Sequence, residues 1–324
     1  MKEIDDIIKL VETDLKQVKE TFSKYLRSHV RLINIITSHF VRRGGKNLRP
    51  LLVILSARMC GNPTPETYKA AALFEMLHNA TLIHDDVVDD ASMRRGGPSI
   101  NSIWKSKISV LMGDFLLARS LTTAAQLKSL EAIDILSESS ARMSQGEINQ
   151  LVLSKKKEIS EEQYFQIIGD KTAALISACC RIGGLTVTKT KENLDALRTF
   201  GEKLGLAFQI KDDLLDIEGK ERIFGKSKGT DIKNGKITLP LIYALKQVNG
   251  RVKRNIIKKV KKKSNSHEVR SVIDFIREHG GIKYAAEKAE NLISEAVSSL
   301  AVFPDNEYKT AMIDLSDYMI KRQK

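Results

Sequence analysis

Residues that break helices and residues that build disulfide frameworks are both scarce in this sequence. Its 324 residues include 6 prolines, 3 cysteines and one tryptophan, and aromatic residues make up only 6%. So few prolines leave long uninterrupted helices available. Three cysteines (Cys60, Cys179, Cys180) are too few for a disulfide scaffold. Set among apolar neighbours, they read as buried, reduced thiols in a reducing compartment. No aromatic interleaves the most basic run, RVKRNIIKKVKKK (251–263), so it offers no base-stacking platform and reads as a solvated helix face. No nucleic-acid partner is expected. No apolar run approaches the length of a bilayer, so no transmembrane segment is expected. The amphipathic, acid-containing start MKEIDDIIKLVETDL does not read as a signal peptide. Together these absences predict a soluble, cytoplasmic protein.

Helical periodicity is abundant. Ile4, Ile7, Ile8, Val11, Leu15, Val18 and Phe22 recur at steps of three and four, which predicts one apolar stripe on a first helix. A second helix is expected over about 30–41, broken by Gly44-Gly45. The next would hold Pro50 in its first turn and end at Gly61-Asn62-Pro63. Thr64-Pro65 suits the N-cap and first position of a long helix. Further runs are expected near 108–127, 130–153, 160–182 and 190–218. A loop would follow over 219–236, and Gly280-Gly281 would separate two C-terminal helices. No strand-period segment or internal repeat is evident. With 42% hydrophobic residues, the reading is one all-α domain over 1–324.

The chain is organised around HDDVVDDASMRRGG (84–97). Leu73, Met76, Leu77, Ala80 and Ile83 precede it at helical spacing, so its acids should close a long, mostly buried helix. Asp85 and Asp89 would share one face, and Asp86 and Asp90 an adjacent one. Like charges at that spacing repel, and a helix C-terminus already carries negative partial charge. Folding alone would not gather four acids there; hard divalent cations would neutralise them. Arg94 and Arg95 suit a phosphate. A second copy of the spacing, Asp212-Asp213-Leu214-Leu215-Asp216, closes another apolar run. Two such helices facing each other would cage several metals around one anionic ligand. The net charge of +13 also agrees with small anionic ligands.

Other candidates have weaker local support. Lys46 and Arg49 follow Gly44-Gly45, where backbone can approach a ligand closely, though an ordinary basic helix start looks the same. His78 lies two turns before Asp85 on the same face, a place equally suited to a packed core histidine. Lys171 and Thr172 would be an unremarked capping or surface pair on their own. Lys226 and Lys236 sit in a glycine-rich segment that reads either as a solvated loop or as a lid over a diphosphate.

The two aspartate motifs occur in order with GGKNLRP (44–50), MGDFLLAR (112–119), QGEINQ (145–150), KTAALI (171–176) and GKITLP (235–240). This set resembles the all-trans polyprenyl diphosphate synthases, head-to-tail prenyltransferases of the isoprenoid synthase fold. The resemblance implies a single large helical bundle around a central cavity, a homodimer, and Mg²⁺ as cofactor. It implies isopentenyl diphosphate and an allylic diphosphate (farnesyl or geranylgeranyl) as substrates. In that family the residues matching Asp85, Asp89 and Asp212 ligate Mg²⁺; Asp216 is a further or alternate ligand, and Asp86 and Asp213 support. Lys46, Arg49, His78 and Arg95 would hold isopentenyl diphosphate. Arg94, Lys171, Lys226 and Lys236 would hold the allylic diphosphate, and Thr172 and Gln209 would flank the reacting carbon.

Product length is read from the helix that ends at Asp85. One turn rises ~5.4 Å, close to one extended isoprene unit, so residues one turn apart act as graded stops. In the family, bulky aromatics four or five positions before the first aspartate close the tunnel early. Here those positions are Thr81 and Ala80, both small, and Leu77, Met76 and Leu73 below them are not aromatic. The expected product is near eight isoprene units, an octaprenyl chain of the kind used for quinone tails, with Phe74 and Phe115 as possible floors. Competing readings are a short-chain farnesyl or geranylgeranyl synthase and a non-catalytic subunit of a heteromeric synthase. A class I terpene cyclase fits poorly: its second motif has Asn, Ser or Thr and Glu at another spacing, and it lacks GGKNLRP.

Overall fold

A computed structural model describes residues 4–42, 47–94, 96–219, 228–262 and 265–321, with side chains left out at 39–42. Helices run in the order α1 (Ile4–Leu10), α2 (Glu12–Leu26), α3 (Arg31–Arg42), α4 (Leu48–Cys60), α5 (Pro65–Val88), α6 (Ile100–Gln126), α7 (Leu130–Ser154) and α8 (Glu161–Ile168). They continue as α9 (Ala174–Leu185), α10 (Lys191–Glu218), α11 (Thr230–Lys233), α12 (Leu239–Lys246), α13 (Gly250–Lys261), α14 (Ser266–Glu278), α15 (Gly281–Ser299) and α16 (Glu307–Lys321). The protein is all-α, as expected. Among the described residues the one strand pairing is a two-residue ladder, Met93–Arg94 against Gly97–Pro98.

Three expectations need correction. The first apolar stripe is carried by two helices, because the backbone at Val11 leaves helical geometry (φ −123°, ψ 23°). The run expected over 160–182 is interrupted by a π turn, Gly169–Ala173, between α8 and α9. And α6 is by length and composition apolar enough to cross a bilayer, with a mean hydropathy of 1.3 over its best window. Asp114 and Arg119 interrupt its apolar residues, which hid this from a search for an unbroken run.

The chain divides into two compact units. The first comprises Met1–Glu138, Leu175–Arg198 and Leu300–Leu315; the second comprises Ser139–Ala174, Thr199–Ser299 and Ser316–Lys324.

In the first unit α5 is the central element, packed against α2, α4 and α6. Its start is built as expected. Pro65 takes the first position, and the Thr64 N–H donates to Thr67 Oγ1 at 3.0 Å, which satisfies a group the helix leaves open. Along its length Ala70, Ala71, Ala72, Leu73, Phe74, Met76, Leu77, Ala80 and Ile83 are all buried. A helix apolar on nearly every side belongs inside a core. Asp14, only 2% exposed, ties three helices together: Arg58 grips it at 2.9 and 3.0 Å and the Tyr68 hydroxyl donates to it at 2.9 Å. A buried carboxylate with that set of donors is compensated for its lost water.

In the second unit α12 packs against α8, α14 and α15. Gly280 adopts φ +72° between α14 and α15, the break expected there. The π turn is held from several sides. Arg142 donates to Asp170 at 2.8 Å and bidentately to Glu202 at 3.0 and 2.7 Å. Gly146 lies so close that a Cβ on it would meet the Lys171 backbone nitrogen at 2.6 Å.

Candidate active site

Each unit presents one of the aspartate motifs. In the first, α5 ends at Val88 and Asp89 caps it in helical geometry (φ −84°, ψ −3°). Asp85 and Asp89 therefore share a face, Asp85 half-buried and Asp89 exposed. The second expected pair does not form. Asp90 turns left-handed (φ 48°), so the helical register ends before it. Asp86 is 4% exposed, and Arg94 holds its Oδ1 with two nitrogens at 2.7 and 2.6 Å. Arg94 reaches it from the first strand of the short ladder, a contact that sequence spacing alone does not show.

His84 Nε2 lies 3.2 Å from the Val110 carbonyl oxygen, an acceptor, and 3.4 Å from Asp114 Oδ1. A Cβ on Gly113 would fall 2.2 Å from the His84 ring, so a larger residue there would push the imidazole aside. His78 is buried, and Arg49 lies half-buried in the first turn of α4. Lys46, Arg95 and Lys226 lie outside the described residues.

Below Asp85, the Thr81 hydroxyl donates to the His78 carbonyl at 2.9 Å. Ala80, 2% exposed, sits in an apolar cluster with Leu26, Ile36, Met76, Ile83, Met112 and Leu116. Phe115 packs on this cluster; Phe74 is buried but is not part of it. Phe22, Tyr25 and Trp104 also border it. The sequence reading missed these three, because they arrive from α2 and α6.

In the second unit, Asp212 and Asp216 are half-buried and Asp213 is buried in the last turns of α10. Asp213 accepts from the Tyr164 hydroxyl at 2.7 Å and from Gln209 Nε2 at 2.9 Å. Burial, reinforced by the nearby Asp231 charge, pushes its carboxyl up to about 7. The Thr172 hydroxyl donates to Gln209 Oε1 at 2.9 Å. Lys171 pairs with Glu147. Asp216 accepts the backbone N–H groups of Thr230 and Asp231 at 3.1 and 3.0 Å, so it caps α11. Its expected metal role therefore shares the carboxylate with a second task. Lys236 lies 3.5 Å from Asp231. Lys171, Thr172, Gln209, Asp213 and Lys236 line one cavity of about 140 Å³, with Tyr164 and Asp231 in its wall. Tyr164, Glu147 and Asp231 escaped the sequence reading. Tyr164 stands seven residues before Lys171, a spacing that could have flagged it.

Among the described residues, no three acidic, histidine or cysteine side chains gather into a ready-made metal cluster. Mg²⁺ keeps several waters and binds through one or two carboxylates plus substrate phosphates, so a carboxylate pair is the protein contribution it requires. Asp85 and Asp89 on one face supply such a pair.

Residues 30–276 match the Polyprenyl synthetase family. The chain belongs to that family. It is 34% identical over 319 residues to the octaprenyl diphosphate synthase of Haemophilus influenzae, covering 98% of this chain and 97% of the relative. Among solved structures, a decaprenyl diphosphate synthase from Rhodobacter capsulatus superposes with a TM-score of 0.94 at 34% identity, covering 99% of this chain and all of that one (100%). A polyprenyl synthase from Caulobacter crescentus, complexed with calcium and isoprenyl diphosphate, gives a TM-score of 0.93 at 33% identity, covering 99% and 98%. The family places this polyprenyl synthetase among the prenyltransferases and its fold as the all-α isoprenoid synthase fold.

Proposed function

We propose that the chain is a medium- to long-chain all-trans polyprenyl diphosphate synthase that extends an allylic diphosphate, farnesyl or geranylgeranyl, with isopentenyl diphosphate to about eight isoprene units. The observation that carries the length is Ala80. It is a small residue, and apolar side chains continue below it around Met76. The octaprenyl synthase named above agrees with this reading.

Asp85, Asp89 and Asp212 would hold Mg²⁺, with Asp216 as a further ligand; the bound ions would supply positive charge to the departing pyrophosphate. Arg94, Lys171 and Lys236, with Lys226, bind the same diphosphate and stabilise the charge that grows on it. Arg94 does so while anchored by Asp86, which fixes its fork. Lys46, Arg49, His78 and Arg95 hold isopentenyl diphosphate with its double bond towards the allylic carbon. As the allylic C–O bond breaks, the double bond attacks that carbon. The new C–C bond leaves a tertiary cation, which loses a proton to pyrophosphate. Thr172 and Gln209 offer partial negative charge near the positive carbon, and apolar side chains exclude the water that would quench it.

We further propose a homodimer formed through α6, whose Leu111 (63%) and Leu121 (52%) are exposed apolar side chains. Residues 1–324 would act as one catalytic domain in the cytoplasm. There the thiols of Cys60, Cys179 and Cys180, which burial pushes upward, would stay protonated and reduced.

The decisive experiment incubates the purified chain with farnesyl diphosphate, radiolabelled isopentenyl diphosphate and Mg²⁺, followed by product chromatography. A product near eight units is expected. One of about three or four units would establish the short-chain alternative, and no turnover would point to a non-catalytic subunit.

A further inference from the structure

Four side chains of the second unit form one continuous line of hydrogen bonds. Tyr164 donates to Asp213 Oδ2 at 2.7 Å, Gln209 Nε2 donates to Asp213 Oδ1 at 2.9 Å, and Thr172 donates to Gln209 Oε1 at 2.9 Å. They come from three segments: Tyr164 from α8, Thr172 from the π turn, and Gln209 and Asp213 one turn apart on α10. All four line the cavity that also holds Lys171 and Lys236.

The two ends of a primary amide have nearly the same shape, so only its partners decide which end is oxygen. Here they do. Gln209 Nε2 faces Asp213 Oδ1, which accepts from it at 2.9 Å. Oε1 is then turned to the Thr172 hydroxyl, which can donate. A reversed amide would turn its oxygen towards Asp213 Oδ1 and lose this donor–acceptor match. This logic holds only while the carboxylate keeps its plane. One bond to Gln209 leaves Asp213 free to rotate about its own side chain. The Tyr164 hydroxyl removes that freedom by holding the other oxygen. Tyr164 is 3% exposed and Asp213 5%, so neither has bulk water as a substitute partner. A phenylalanine would fill the same volume and keep the edge-on packing against Phe165. The hydroxyl is what distinguishes tyrosine here, and its hydrogen bond goes to Asp213.

We propose that Tyr164 is a positioning residue for prenyl transfer: acting through Asp213, it fixes the Gln209 amide with its carbonyl oxygen beside Thr172, where positive charge develops. The inference rests on the prenyl-transfer reading above. A dipole held in place before the reaction stabilises the developing charge without reorganising, whereas a freely turning amide must be oriented at each turnover. Asp213 thereby serves chiefly to orient Gln209, since both of its oxygens are committed.

Steady-state kinetics on Tyr164→Phe test this. The expected result is a fall in kcat of about tenfold or more, with KM for both diphosphates within about twofold of wild type. Asp213→Asn should give a comparable loss, and the double variant should be no slower than the slower single variant, because both changes release the same amide. Wild-type kcat in Tyr164→Phe, a raised KM with kcat kept, or losses that multiply in the double variant would each overturn the proposal. Should Tyr164→Phe fail to fold, Asp213→Asn decides: retention of full kcat overturns it, and a kcat loss at constant KM upholds it. Wild-type turnover, measured alongside, separates the two failures. Its absence overturns the prenyl-transfer reading and this inference with it, whereas full activity in Tyr164→Phe overturns the inference alone.

Discussion

Arg94 holds Asp86 through two guanidinium nitrogens on one carboxylate oxygen, at 2.6 and 2.7 Å. The pair divides the first motif into unlike parts. Asp86 is turned inward and neutralised by a protein cation, while Asp85 and Asp89 stay together on another face of the helix end. Substitutions within the motif should therefore separate into two kinds.

Asp85→Ala should lower kcat by at least about a hundredfold while leaving the melting temperature unchanged or raised, because it removes a metal ligand and a repelling charge. Asp212→Ala should lose activity to a similar degree. Asp86→Ala should instead lower stability by about 1–2 kcal/mol, since it strips a half-exposed arginine of its buried partner. Thermal melts and kinetics on the three variants check this. Near-normal kcat in Asp85→Ala or Asp212→Ala would mean that the metal ligands are misassigned. Chelation of Mg²⁺ should abolish wild-type turnover reversibly.

Ala80→Phe should shorten the product to about three or four isoprene units while the first condensations continue, because a ring placed one turn below Thr81 would stop the tail there. Overfilling a close-packed cluster should also cost about 1–3 kcal/mol in the ligand-free protein. Product chromatography decides the matter: a full-length chain from this variant would show that the tail does not pass Ala80.

Gly146→Ala should be disproportionately harmful for a single added methyl. Its Cβ would meet backbone, 2.6 Å from the Lys171 nitrogen, with no flexible side chain to give way. A loss of about 1–3 kcal/mol in denaturant unfolding is expected, together with reduced activity as Lys171 and Thr172 shift. A variant with wild-type stability and rate would show that the π turn has slack.

Sedimentation at micromolar concentration should show a homodimer. Leu111→Glu combined with Leu121→Glu should shift it towards monomer, since charges on an apolar interface lose their water without gaining partners. A wild-type monomer would remove the dimer proposal.

Much of this was legible in the amino-acid order. The Thr64-Pro65 helix start, the Gly280-Gly281 break and the burial of α5 follow from local chemistry and periodicity, and they are present. The ordered motifs identified the family. Long-range or low-signal features were not legible. Asp90 turns left-handed without a glycine to announce it, so the expected Asp86–Asp90 pair could not be ruled out beforehand. The π turn at Gly169–Ala173 joins two apolar helical runs, and one extra residue in a turn leaves no mark in the composition. Tyr164 meets Asp213 across 49 residues of chain. Nothing local in either residue indicates the other.

The burial of α5 bears on how such enzymes diverge. If the tail runs along this helix, the side chains that meter the product are the same ones that hold the first unit together. Truncating Met76 to admit a longer chain would remove about 2–5 kcal/mol from a fold whose whole margin is about 5–15 kcal/mol. A lineage drifting towards longer products would need stabilising changes elsewhere beforehand. Drift towards shorter ones, by filling Ala80 or Thr81, would meet a smaller barrier. Product length in this architecture should therefore evolve asymmetrically, with heat tolerance as the hidden constraint.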